Sequence, residues 1–221
     1  MGHLIAGVSR KENLVIVYHA KEFEQNFRPR AHPWSRAESN ENEVYIDFKA
    51  HPKKIRTTLE DLIPFNRKTF ANKFYELLEW LNGKSSNIES NDCAFVGASE
   101  NIDAQFPYKI RCSGRLMVLF RDIERNCYRQ DIDWLMISAE KTIQAINPSF
   151  KAGAIGLSRV PAIYKELGNS STSGALGEQV MFSLFAYGKN ANQCYKHMEK
   201  VVLCLHRALE IMNRDMGRNN G

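Results

Sequence analysis

Asp47-Phe48-Lys49 is the spacing in this 221-residue chain that comes nearest to enzyme chemistry. On a β-strand, side chains two residues apart share a face, so the carboxylate and the ammonium would stand side by side. A carboxylate so placed can hold Mg²⁺ and a lysine can steady an attacking water, the chemistry of a metal-dependent nuclease. Such a site needs a second acid upstream. Glu22, Glu24 and Glu43 are available, but no spacing ties any of them to Asp47. Residues 44–49 alternate apolar and polar as a half-wet strand does, which accounts for Asp47 and Lys49 without catalysis. The expectation is that Asp47 is not catalytic.

Other chemistries find less support. Cys194 and His197 stand three apart, and Cys204 and His206 follow, but no C-x₂-C pair exists, and both cysteines lie in or beside an apolar stripe. They read as core thiols. No G-x-S-x-G occurs, and the Ser/Gly-rich stretch that ends at 174–178 lacks the Gly-Lys-Ser/Thr of a phosphate-cradling loop. No catalytic residue, metal or cofactor is therefore expected.

The net charge of +5 gives a mild bias toward acidic partners such as nucleic acid. Positive charge concentrates in two places. Lys49, Lys53, Lys54 and Arg56 form one cluster; Lys109, Arg111, Arg115, Arg121, Arg125 and Arg129 recur along a second stretch. Tyr108, Phe120 and Tyr128 lie beside the second and offer rings for stacking bases. Solvated strand faces are the preferred explanation of both clusters, and no RNP signature accompanies them. Nucleic-acid binding, centred on Lys49, Lys53, Lys54 and Arg56, is the alternative reading, with Asp47 and Lys49 its nuclease variant.

The elements that would position these residues follow from composition and periodicity. Hydrophobic residues make up 43% and charged residues 25%, a globular balance that predicts a packed core. Five unpaired-looking cysteines, an N-terminus without a signal-peptide layout and no apolar run of membrane-spanning length predict reduced thiols and a cytoplasmic or virion location, with no membrane partner. Residues 3–8 and 14–19 read as a hairpin, 21–43 as an irregular loop and 44–49 as a strand. A short helix is expected from Thr57 to Pro64. A longer amphipathic helix follows on Phe70, Phe74, Leu77, Leu78 and Leu81, stopped by Asn82-Gly83.

Residues 83–92 look like a linker or loop between an N-terminal region, 1–82, and a ββαββα core, 93–213. Strands are expected at 93–98, 109–120, 153–160 and 179–187, with a mobile loop at 168–174. Asp131 reads as the N-cap of a helix carrying Ile132, Leu135, Met136, Ala139, Ile143 and Ile146. The last helix has the most regular stripe: Cys194, Met198, Val201, Leu205, Ala208 and Met212, widened by Val202 and Leu209. The predicted fold class is α+β, a mixed or antiparallel sheet packed by amphipathic helices that include a long C-terminal one.

Residues 108–188 resemble a phage tail-terminator protein in layout. The shared features are the strand 115–120, a polar break, an acid-rich helix start with tryptophan (Asp131-Ile132-Asp133-Trp134-Leu135-Met136), then two strands around a loop. The resemblance covers about 80 residues and rests on segment order; the N-terminal region and the final helix depart from it. It implies ring assembly without chemistry or cofactor, and no residue roles. The function expected is thus a non-enzymatic structural or assembly protein, a homo-oligomer joined to other protein subunits. Self-association is expected through 179–187, a strand with few guarding charges.

Overall fold

A computed structural model describes residues 15–19, 29–33, 46–57, 69–102, 107–146, 152–168 and 174–218. The elements are β1 (Val15–His19), β2 (Arg30–His32), α1 (Thr69–Leu81), β3 (Ile88–Glu100), β4 (Ile110–Phe120), α2 (Arg129–Ile146), β5 (Gly153–Tyr164), β6 (Ala175–Gly188) and α3 (Ala191–Arg218). The fold class is α+β. The sheet runs in the order β1-β5-β6-β4-β3, and β2 also pairs with β5. β3–β4, β4–β6 and β5–β6 are antiparallel, whereas β1 and β2 both lie parallel to β5.

Alternation along the central strands sorts the two faces. Leu116, Val118 and Phe120 of β4 and Val180, Phe182 and Leu184 of β6 join the helices in the main core. The residues between them turn the other way: Met117 and Met181 meet Val160, and Leu119 meets Ala162 and Tyr164. With both faces buried, β4 reads as a continuous apolar run, as a central strand does.

α3 covers the sheet as its stripe predicts. Cys194, Met198, Val201, Val202, Leu205, Ala208, Leu209 and Met212 are all buried, and each larger apolar side chain contributes about 1.5–3 kcal/mol by leaving water. Phe95 ties three elements together. Its ring lies 4.6 Å from that of Phe74 and 5.6 Å from that of Phe70, while Phe70 stacks on Tyr195 at 5.6 Å. Gly114 makes room for it, since a Cβ there would stand 2.4 Å from the Phe95 ring.

Several expectations are corrected. Residues 83–92 are not a linker: after a turn, residues 88–92 are already β3, and α1 shares one core with α2 and α3. Residues 46–50 form a turn rather than the end of a strand. Within the stretch read as irregular, 30–32 form β2. The strand expected at 14–19 is present as β1 and pairs with β5, while the other half of the expected hairpin, 3–8, lies outside the described residues. α2 begins at Arg129, so Asp131 lies inside its first turn and engages Arg125 at 2.8 Å instead of capping. β5 continues through Pro161, which falls in the gap between the pairing to β1, ending at Leu157, and that to β2, starting at Ala162. The strand 179–187 lies within β6, which is paired on both sides and offers no edge. The first hairpin strand, the helix expected from Thr57 and the centre of the 168–174 loop lie outside the described residues, apart from Thr57 itself.

Candidate functional site

Ion pairing absorbs most of the side chains that had suggested chemistry, and its centre is a residue of the supposed linker. Glu89 projects from β3 on the face away from the helices and is 1% exposed. Its Oε1 atom lies 3.0 Å from His32 Nε2 and 2.8 Å from Lys49 Nζ, and its Oε2 atom lies 3.9 Å from Arg121 Nε. The other ring nitrogen of His32, Nδ1, lies 3.2 Å from a Glu166 carboxylate oxygen. The His32 ring also lies 5.8 Å from that of Tyr164, its register partner across β2 and β5. A carboxylate this buried needs partners around it: His32 and Lys49 reach Oε1 within hydrogen-bond distance, and the Arg121 guanidinium stands near Oε2. The cluster fastens β2 and the 46–50 turn onto the sheet.

Asp47 is occupied locally. Its Oδ1 accepts the backbone N–H groups of Lys49 at 2.8 Å and Ala50 at 3.1 Å, a side-chain-stabilised turn. The Asp47–Lys49 pair expected on one strand face is therefore replaced by a turn that points Lys49 at Glu89. Among the described residues no group of three His, Cys, Asp or Glu side chains is placed to hold a metal ion.

The basic segments are neutralised in a similar way. Arg56 makes a two-pronged contact to Glu79 at 2.7 and 2.9 Å, and it stays exposed, as do Lys53 and Lys54. In the second, Arg115 meets Asp92 at 3.1 Å, Arg125 meets Asp131 at 2.8 Å and Arg129 approaches Asp133 at 3.9 Å. Arg121 donates to the carbonyls of Leu81 and Gly83 at the end of α1. Phe120 is buried under the Arg125 guanidinium, 4.0 Å from the ring centroid, so it offers no face to a base.

Among the described residues, β3 is one of the strands that end the sheet. Among the described residues β3 pairs only with β4. Val96 is 60% exposed and Ile102, just beyond the strand, 80%. No charged residue stands between Asp92 and Glu100. Register shifts at Ser90/Asp92 and Val96/Ser99 bracket an evenly paired stretch, 92–96. Next to Val96 on the same face run Ser113 of β4 and Phe185 of β6, which is half-buried beneath the Arg111 guanidinium.

Comparison of the chain with protein-family models, with curated proteins and with solved structures finds no match. Among the described residues no helix is long and apolar enough to cross a membrane.

Sequence reasoning missed Glu89, His32 and Glu166. His32 and Glu89 are separated by 57 residues and His32 and Glu166 by 134, so no local spacing joins them. The edge character of β3 was legible in part, as an uncharged β-prone run at 93–98, but its place in the sheet order was not.

Proposed function

We propose that this chain is a non-enzymatic assembly protein whose subunits join along the β3 edge. One observation carries the reading: a long strand closes the described sheet with Val96 exposed and with no charge between Asp92 and Glu100. Edge strands of soluble proteins are commonly guarded by inward charges, proline or bulges, because their free N–H and C=O groups template further pairing. Here the bulges flank an unguarded stretch. A two-fold antiparallel pairing of 92–96 with itself, centred on Ala94, sets Asp92 against Val96 and opposes no like charges. The buried Glu89 cluster supports this role as a fastening, and the tail-terminator-like order of segments implies the same kind of work. If that resemblance holds, closure into a ring follows from further contacts between such subunits.

Val96→Glu tests the proposal. An exposed substitution of this kind changes fold stability by at most about 0.5 kcal/mol, but it sets a second carboxylate directly opposite Asp92 of the other copy at both ends of the pairing stretch. The variant is expected to run as a monomer with an unchanged denaturation midpoint. An assembly state identical to that of the unsubstituted chain would move the joining surface elsewhere.

A further inference from the structure

The sulfur atoms of Cys112 in β4 and Cys194 in α3 lie 3.2 Å apart inside the core. All five cysteines of the chain are free thiols. The contact follows from how α3 leaves the sheet. Cys112 pairs in register with Ala186, whose carbonyl oxygen lies 3.1 Å from Cys194 Sγ. Gly188 then lets the chain fold back so closely that a Cβ there would stand 2.5 Å from the Cys194 backbone nitrogen. Strand β4 and the first turns of α3, separated by 82 residues in the chain, thus converge on one point.

We propose that Cys112 and Cys194 form an oxidation site that a small peroxide converts to an intramolecular disulfide. The Cys194 sulfur attacks one peroxide oxygen and becomes a sulfenic acid as the other oxygen leaves as water or hydroxide. The Cys112 sulfur then attacks the Cys194 sulfur, expelling the second oxygen as water. Two thiols are oxidised by two electrons and one peroxide is reduced to two waters. The roles follow from the contact between the sulfurs. The hydrogen-bond contact between the two sulfurs lowers Cys194 below the usual thiol range, while the same contact together with burial raises Cys112. The thiolate is the nucleophile in both steps. Both groups are buried, but Cys194 lies close to the start of α3, behind the exposed residues 189–192, so fraying of that turn admits a small oxidant.

The test exposes the folded chain to hydrogen peroxide and reads intact mass and peptide maps under non-reducing conditions. The expected result is a loss of about 2 Da, reversed by a dithiol reductant, with the fragments holding Cys112 and Cys194 joined. In Cys112→Ser the resolving thiol is gone, and the mass should instead rise by about 16 or 32 Da at Cys194. An unchanged mass in the folded wild type, a bond between other cysteines, or oxygen addition without bond formation in the wild type would each overturn the proposal. The wild-type map decides the matter even if the serine variant fails to fold.

Discussion

Nε2 of His32 lies 3.0 Å from Oε1 of Glu89, and the same oxygen receives Lys49 Nζ at 2.8 Å. This convergence joins β2, the 46–50 turn and β3, elements that share no neighbouring sequence. Burying a carboxylate is costly, so its value depends on keeping every partner.

Glu89→Gln keeps the shape but removes the charge that His32, Lys49 and Arg121 face. The expected cost is about 3–5 kcal/mol, the range for breaking a buried ion pair from one side. Lys49→Met should cost less, because Lys49 is partly exposed and His32 still reaches the carboxylate. Urea unfolding of the two variants checks the order. A Glu89→Gln loss under about 1 kcal/mol would mean that the cluster does not hold these segments.

Leu205 is fully buried at the middle of the α3 stripe. Leu205→Ala is expected to lower stability by about 2–5 kcal/mol through lost burial and the cavity left behind. Chemical denaturation at equilibrium measures it. A loss below about 1 kcal/mol would show that α3 is docked more loosely than its burial implies.

His206 gives a pH signature. Its ring lies 5.4 Å from that of Trp80, and burial lowers its pKa from the ordinary 6.5; Glu210 and Glu76 oppose the shift and Lys73 adds to it. Because the folded pKa is the lower one, the unfolded chain takes up the proton first as pH falls. The contribution is therefore complete above about 6.5 and is lost as pH falls from there through the depressed folded value. His206→Gln should flatten this part of the profile of unfolding midpoint against pH. A profile with the same slope in both proteins would assign the titration to another group.

Local signals in the sequence carried much of the architecture. The α3 stripe, the apolar run of β4 and the pattern of α2 each arise from residues a few positions apart, so periodicity reveals them. The β1 and β2 pairings with β5 did not show, because parallel partners are brought together by intervening structure and leave no turn signature. The polar run 84–92 looked like a linker because Glu89, Asn91 and Asp92 are loop-forming types. They are instead polar residues of a strand, each with a partner far off in the chain: Glu89 with His32 and Lys49, Asn91 with Gln179 at 3.0 Å, Asp92 with Arg115. The ion pairs of the basic segments were not legible either, since a sequence counts charges but not the carboxylates that fold against them.

The mass of the unsubstituted chain in solution, measured by light scattering across a micromolar concentration series, tests the central claim most directly. The account predicts at least two copies per particle, with the larger species gaining as concentration rises and lost in Val96→Glu. A single-chain mass at every concentration would contradict it.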